Sequence, residues 1–343
     1  MSDINNDINL VLLVNLGTPD SCSKPSIKKF LRKFLMDRRV ISLPYFLRFI
    51  LVNFLIIPFR LSKVQKVYQA VWTGPENNSD GSPLLIHMKN LEKNLQEKLG
   101  NNYLVKSCMT YSKPSIFNIL DIKSPIKKII ILPLYPQFSA TTTAPVFDQI
   151  AQYFKNKNKI PDLVFIHSYF NHALYIQALT QSVLAYQKIH GTPELLIFSF
   201  HGLPEINIQR GDPYYFQCQE TARLLAGSLN LKSSDYLVTF QSRVGAQAWL
   251  KPYTDQVLQE LPREKNIKNI QIICPGFSMD CIETLEEIAL QNKELFLQSG
   301  GEKFGFIPCL NSTPGQVGLL EGLIRPQFSS NARAAGLHAK DPS

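Results

Sequence analysis

No two of the six cysteines are spaced C-x-x-C. Cys22, Cys108, Cys218, Cys274, Cys281 and Cys309 lie far apart, mostly in apolar surroundings, and read as reduced thiols used as small hydrophobes. That spacing argues against a structural zinc or an iron–sulfur cluster. No G-x-G-x-x-G follows the first apolar run, and no G-x-x-x-x-G-K-[ST] occurs anywhere. Dinucleotide and nucleoside triphosphate binding therefore lack their main marker. Acidic residues are outnumbered, 27 against 36 Lys and Arg, for a net charge of +9. That balance favours phosphates, anionic lipid surfaces or carboxylated small molecules as partners. Basic blocks interleaved with aromatics are absent, so nucleic acid is not an expected partner. Met1–Asn9 has neither a basic n-region nor an apolar h-region; no signal peptide is expected, and a cytoplasmic setting is.

What is present is a globular composition, 45% hydrophobic and 18% charged over 343 residues, with room for two domains. Asn9–Leu16 is an apolar run closed by Gly17-Thr18-Pro19-Asp20, the pattern of a buried strand entering a loop. Similar runs follow at Tyr103–Thr110, Lys128–Leu134, Leu163–Ser168, Leu195–Phe200, Asp235–Gln241, Asn269–Cys274 and Phe304–Cys309. Helical periods separate most of them. Ile27, Phe30, Leu31, Phe34 and Leu35 follow Pro25; Leu84–Leu99 ends at Gly100; Ile176, Leu179, Val183 and Tyr186 mark another. The alternation predicts an α/β fold of two doubly wound parallel sheets, four strands in each. The expected division is 1–170, 171–325 and a loose tail over 326–343. Leu43–Phe59 is the most hydrophobic stretch, flanked by Arg38, Arg39, Arg60, Lys63 and Lys66. It is shorter than a membrane span needs and reads equally as a buried core helix or as an apolar lip on a membrane surface. The 74–83 stretch is a loop on composition.

Ser199-Phe200-His201-Gly202-Leu203-Pro204 puts His201 at the carboxyl end of a strand, where open α/β sheets bind ligands. Gly202 is expected to let the backbone turn sharply there. A loop histidine on a structural hydrogen bond fits the same letters. Cys274-Pro275-Gly276-Phe277 reads as strand end and turn, with a helix starting near Ser278–Asp280, both good N-cap types. Its expected apolar face is Ile282, Leu285, Ala289 and Phe296. Glu283 and Glu287, four apart, share a face that Gln291 continues; a solvated acidic face would look the same. His201 and Glu283 belong on one rim of one sheet. An imidazole and a carboxylate facing each other across a cleft can hold Fe²⁺ or Zn²⁺ and can accept protons. Gly211-Asp212-Pro213-Tyr214-Tyr215 adds a helix start to that rim, with Asp212 as N-cap and Cys218 in the buried stripe. Phe240-Gln241-Ser242-Arg243 adds an arginine for an anion or an inter-loop carboxylate, the structural role being preferred. Leu134–Thr143 brings aromatics and hydroxyls to the opposite wall of the cleft.

These pieces resemble ferrochelatase in their order and spacing, together with Leu12-Leu13-Val14-Asn15-Leu16-Gly17-Thr18-Pro19, Trp249-Leu250-Lys251-Pro252-Tyr253-Thr254 and Pro308-Cys309-Leu310-Asn311. The resemblance covers nearly the whole chain, and Met279-Asp280-Cys281-Ile282-Glu283 resembles the Gram-negative forms. It implies a chelatase-like pair of Rossmann-like domains without nucleotide, closing on a porphyrin cleft. The implied substrates are protoporphyrin IX and Fe²⁺, the product protohaem, and the step the last of haem biosynthesis. The implied Fe²⁺ ligands and catalytic proton handlers are His201 and Glu283, with Glu287 on an acidic path for metal or protons. Leu43–Phe59 would be the porphyrin lip, in peripheral contact with the inner face of a membrane. Arg38 or Arg39 is a candidate for pairing with the propionates.

Some positions depart from the pattern. Ala140 stands where cluster-bearing members have a cysteine, and no C-terminal cysteine group follows, so no [2Fe–2S] cluster and no other prosthetic group is expected. Gln291 replaces a third carboxylate of some members, and the 74–80 loop is longer than usual. The alternatives are a coproporphyrin ferrochelatase, a cobaltochelatase and a non-catalytic tetrapyrrole or haem carrier. The acidic row favours an enzyme over a carrier.

Overall fold

The computed structural model describes residues 8–72, 81–122, 125–245 and 247–328. The start of the expected polar N-terminus, the loop over 74–80 and the tail beyond 328 lie outside them. All eight expected strands are present, with ends displaced by a few residues at most. The first sheet comprises β1 (Ile8–Asn15), β2 (Tyr103–Met109), β3 (Ile126–Pro133) and β4 (Asp162–Phe165), in the order β2-β1-β3-β4. The second comprises β5 (Leu195–His201), β6 (Tyr236–Gln241), β7 (Asn269–Ile273) and β8 (Lys303–Ile307), in the order β6-β5-β7-β8. Every pairing is parallel. Leu10–Val14 and Leu196–Phe200 are buried on both faces, which is why these strands read as continuous rather than alternating apolar runs.

The shared strand order positions the site. Each sheet grows one way from its first strand and then crosses to the other side. The strands all run the same way, but the side on which they are added switches between β1 and β3, and again between β5 and β7. Loops leaving such a strand pair diverge and open a crevice at the carboxyl ends. The loops after β1, β3, β5 and β7 carry Thr18, Tyr135, Gly202 and Cys274 through Glu283.

One hydrophobic core serves both halves. It runs from Val11, Leu13 and Ile130 to Leu196, Phe198 and Phe200 without a break. The Pro314–Ile324 helix packs on both Pro83–Leu99 and Ala173–His190. Asp212, buried, adds a polar tie: its Oδ2 accepts from Ser139 Oγ at 3.0 Å and from the Ala140 N–H at 2.8 Å. Its Oδ1 caps the Tyr214 N–H at 3.0 Å. The helix there spans Tyr214–Ser228 with Pro213 at the N-cap, so Asp212 stands one residue before the cap position expected of it and Pro213 one residue before the expected first helical position.

Leu43–Phe59 is not a core helix. It forms the first part of one continuous helix, Tyr45–Val71, with a π-helical insert at Leu51–Ile56. Phe46 (71% exposed), Phe54 (65%) and Phe59 (81%) face outward. Arg48, the one charge in the run, is turned in: its guanidinium donates to the Ile41 and Leu43 carbonyls at 3.0 and 2.8 Å. Among the described residues this is the one helix long and apolar enough to cross a membrane, because it continues beyond the apolar run. It packs on the Lys24–Leu35 helix and, through its second half, on the helix that begins at Glu283.

Candidate active site

His201 ends β5, half-buried, with its Nδ1 2.7 Å from the Gly202 carbonyl oxygen. A carbonyl can only accept, so Nδ1 carries a proton, and in the neutral ring the lone pair lies on Nε2. Gly202 is required for a different reason from the expected sharp turn. Its backbone lies outside the left-handed region. A Cβ there would lie 2.8 Å from the Gln241 carbonyl oxygen and 3.2 Å from the Trp249 ring. The close approach allows the Gly202 N–H to donate to that carbonyl at 2.7 Å. Gly202→Ala is expected to lower stability by about 1–3 kcal/mol through overpacking. Because the obstacle is backbone, it should also reduce turnover by displacing His201. Chemical denaturation alongside an insertion assay checks both effects.

Gln241 pairs with His201 in the β5–β6 register. Its Nε2 donates to the Glu283 backbone carbonyl at 2.7 Å, and its Oε1 accepts from Ser199 Oγ at 2.8 Å. One buried amide thus joins the histidine strand to the glutamate helix. Beneath it, Ser199, Thr254 and Thr239 form a buried hydroxyl chain with steps of 3.0 and 2.8 Å.

The glutamate helix differs from the α-helix expected. It is π-helical over Glu283–Asn292 and continues as an α-helix over Lys293–Gln298. The i→i+5 pattern widens the turn, and the buried positions become Thr284, Ile288, Asn292 and Phe296; Ile282, Leu285 and Ala289 are only half-buried. Neither Ser278 nor Asp280 caps it. Ser278 Oγ pairs with the Tyr169 hydroxyl at 2.9 Å. Buried Asp280 accepts from Thr284 Oγ1 at 3.0 Å and from Asn311 Nδ2 at 2.7 Å, fastening the helix start to the loop after β8. Glu283 and Glu287 remain in one row. Gln291, exposed, donates instead to Glu286 at 2.6 and 2.8 Å.

Ser242 holds Glu287. Its N–H donates to Oε1 at 2.7 Å and its hydroxyl to Oε2. The left-handed φ of +65° at Ser242 aims both donors at one carboxylate. Burial raises the Glu287 carboxyl above its ordinary range, and Glu283 pushes the same way; the Ser242 donors and His201 pull it back. His201, Glu283 and Glu287 thus share one local field.

Groups of the other half lie close enough to Glu283 to feel its charge. Burial pushes the Tyr68 hydroxyl, on the Tyr45–Val71 helix, well above its ordinary range, and Glu283 pushes it further. Tyr135, in the loop after β3, is raised by burial, with Glu283 and Cys281 adding to the rise. Thr18, in the loop after β1, is close enough to Tyr68 to oppose the rise. Sequence reasoning missed Tyr68, placed Tyr135 on the opposite wall only as part of Leu134–Thr143, and quoted Thr18, Gln241 and Ser242 only as motif letters. A strand end preceded Thr18, Tyr135, Gln241 and Ser242; nothing in the pattern pointed to Tyr68.

The remaining candidates lie elsewhere or have partners. Arg39 forks onto Asp148 at 2.8 and 3.0 Å, while Arg38 is exposed beside it. Arg243 pairs with Asp255 at 2.8 Å and lies over the Tyr253 ring at 4.2 Å, the carboxylate alternative of its two readings. Cys218 is buried in its helix stripe. Among the described residues no group of three or more His, Cys, Asp or Glu side chains is arranged to hold a metal.

Comparison with known proteins identifies the family and the fold. The ferrochelatase family model matches residues 9–328. The ferrochelatase of Hamiltonella defensa is 46% identical over 92% of this chain and 97% of its own length. The ferrochelatase of Yersinia enterocolitica is 42% identical over 93% and 98%. Among solved structures, SirB from Bacillus subtilis with Fe³⁺ superposes with a TM-score of 0.54 at 12% identity, covering 95% of this chain and 98% of its own. DR2241 from Deinococcus radiodurans reaches 0.50 at 8% identity, over 92% of this chain and 54% of its own. Those two likenesses concern the fold alone. On the family match and on relatives of this identity over this much of the chain, it belongs to the ferrochelatase family.

Proposed function

We propose that the chain inserts Fe²⁺ into protoporphyrin IX, releasing two protons and giving protohaem. Family membership makes it an enzyme of haem biosynthesis that loads iron into a porphyrin. The observation that carries the residue roles is the fixed tautomer of His201, which leaves an Nε2 lone pair on the rim that also holds Glu283.

The chemical task is to exchange two pyrrole N–H protons for one dication inside a stiff ring. A planar macrocycle directs its nitrogen lone pairs inward, and bending it exposes them; binding energy from the cleft is one source of that distortion. His201 Nε2 accepts a pyrrole proton. Glu283 receives the cation or the second proton. Glu287, its carboxyl raised by burial, relays protons nearer to neutral pH than an exposed carboxylate would. Two ligands with open positions suit a metal that must be handed on rather than kept. Arg38 is our choice for a propionate contact, since the Arg39 guanidinium is already forked to Asp148. The outward apolar face of Tyr45–Val71 is the porphyrin lip, and it rests on the inner face of a membrane.

The test is anaerobic mixing of protein, Fe²⁺ and either protoporphyrin IX or coproporphyrin, followed by absorption. Faster appearance of the haem spectrum from protoporphyrin is expected. Equal or faster turnover of coproporphyrin would reassign the substrate. Shifted porphyrin bands without turnover would mark a carrier.

A further inference from the structure

We propose that the groove between the Lys24–Leu35 helix and the start of the Tyr45–Val71 helix seats the phosphate of an anionic phospholipid headgroup, while the aromatic ridge beside it enters the acyl layer. This deepens the reading of that ridge as a membrane lip and rests on it.

The groove has a volume of about 590 Å³, and its lining includes Lys28, Lys29, Arg32, Lys33, Tyr45 and Phe49. Lys29 is answered by Asp20 at 3.1 Å. Among the described residues, Lys28, Arg32 and Lys33 have no acidic partner within salt-bridge distance. The Lys33 ammonium is lowered by burial and then by the neighbouring Lys29 charge, as expected where cations crowd without a counter-ion. The Arg32 guanidinium carbon lies 5.7 Å from the Phe49 ring centre, so the cationic floor meets the aromatic wall directly.

That wall leads to the ridge. Tyr45 stacks on Phe49 at 6.3 Å, and Phe49 meets Phe54 edge-on at 6.3 Å. Phe54 is one of the three outward phenylalanines, with Phe46 and Phe59. Seats for a phosphate and for acyl chains therefore sit one aromatic contact apart, the spacing that a headgroup and its own tails present.

Charge distribution selects the lipid. From Ser21 to Val71 the sequence holds eleven Lys and Arg against a single acid, Asp37, a net +10 compared with +9 for the whole chain. The rest of the protein is close to neutral. The entire excess is carried by the segment that bears the apolar ridge. An uncharged bilayer would need the ridge alone; the concentration of cations beside it matches an anionic surface.

The experiment is co-sedimentation of the full chain with vesicles of phosphatidylcholine alone, or with about a quarter phosphatidylglycerol, at low and high salt. The wild type should bind the anionic vesicles about tenfold more tightly at low salt, the preference shrinking as salt rises. Lys28→Glu with Lys33→Glu should abolish that preference while leaving binding to neutral vesicles and insertion into detergent-dispersed porphyrin unchanged. Phe46→Ser with Phe54→Ser should weaken binding to both vesicle types. Equal wild-type affinity for the two compositions, or a preference that survives the double charge reversal, would overturn the headgroup seat and leave the lip standing. Binding to neither vesicle would remove the lip reading as well. Displacement of the protein from anionic vesicles by millimolar inorganic phosphate at fixed ionic strength would reassign the groove to a free phosphate.

Discussion

Replacing His201 with alanine is expected to cut Fe²⁺ insertion by roughly 10²–10⁴, the range for losing a positioned general base. Porphyrin affinity should be nearly unchanged, because the apolar walls that grip the ring do not depend on the imidazole. The fold should survive as well. His201 sits at the end of β5, half-buried, and its pairing with Gln241 is through the backbone. The measurement is anaerobic turnover alongside fluorescence quenching of the bound porphyrin. Loss of kcat without loss of binding, with partial recovery on adding free imidazole, is the signature of a missing proton acceptor. Turnover within a few-fold of wild type would remove His201 from the chemistry.

Glu283→Gln is the second large effect. It keeps the side-chain shape and removes the charge, and Gln241 holds the Glu283 backbone carbonyl rather than its carboxylate. The helix start should therefore stay in place, and the loss should be chemical. Insertion is expected to fall on the order of 10²-fold, with the KM for Fe²⁺ raised and porphyrin binding retained. Should the variant bind porphyrin weakly and use Fe²⁺ normally, Glu283 would be a wall of the cleft and not a seat for the cation.

The strands were legible because parallel sheets covered on both faces leave uninterrupted apolar runs, as at Leu10–Val14 and Leu196–Phe200. The placement of His201 and Glu283 was legible for a related reason: each follows such a run, and strand ends on the carboxyl side of one sheet share a rim. The helix at Glu283 was misread in its winding. Ile282, Leu285 and Ala289 satisfy a 3.6-residue period, but buried Asp280 fastens the helix start to the β8 loop through Thr284 and Asn311, and the segment winds as a π-helix. That constraint is tertiary and leaves no local trace. Gly202 was identified for the wrong reason, since a glycine needed for space and one needed for a left-handed turn look alike in sequence. Tyr68 was missed because its role depends on where the Tyr45–Val71 helix docks on the other half. The Leu43–Phe59 run was ambiguous by composition. Only the orientation of Arg48 and the phenylalanines separates a ridge from a core.

The unbroken core between the halves constrains traffic through the cleft. Jaws that swung apart would have to split packed side chains around Phe198 and Tyr175 and pull Ser139 and Ala140 off a desolvated Asp212 carboxylate. Cargo exchange is therefore a rim event. On the function proposed above, the flat ring would pass edgewise by the Phe-bearing ridge while the shared core holds the two sheets in one mutual orientation.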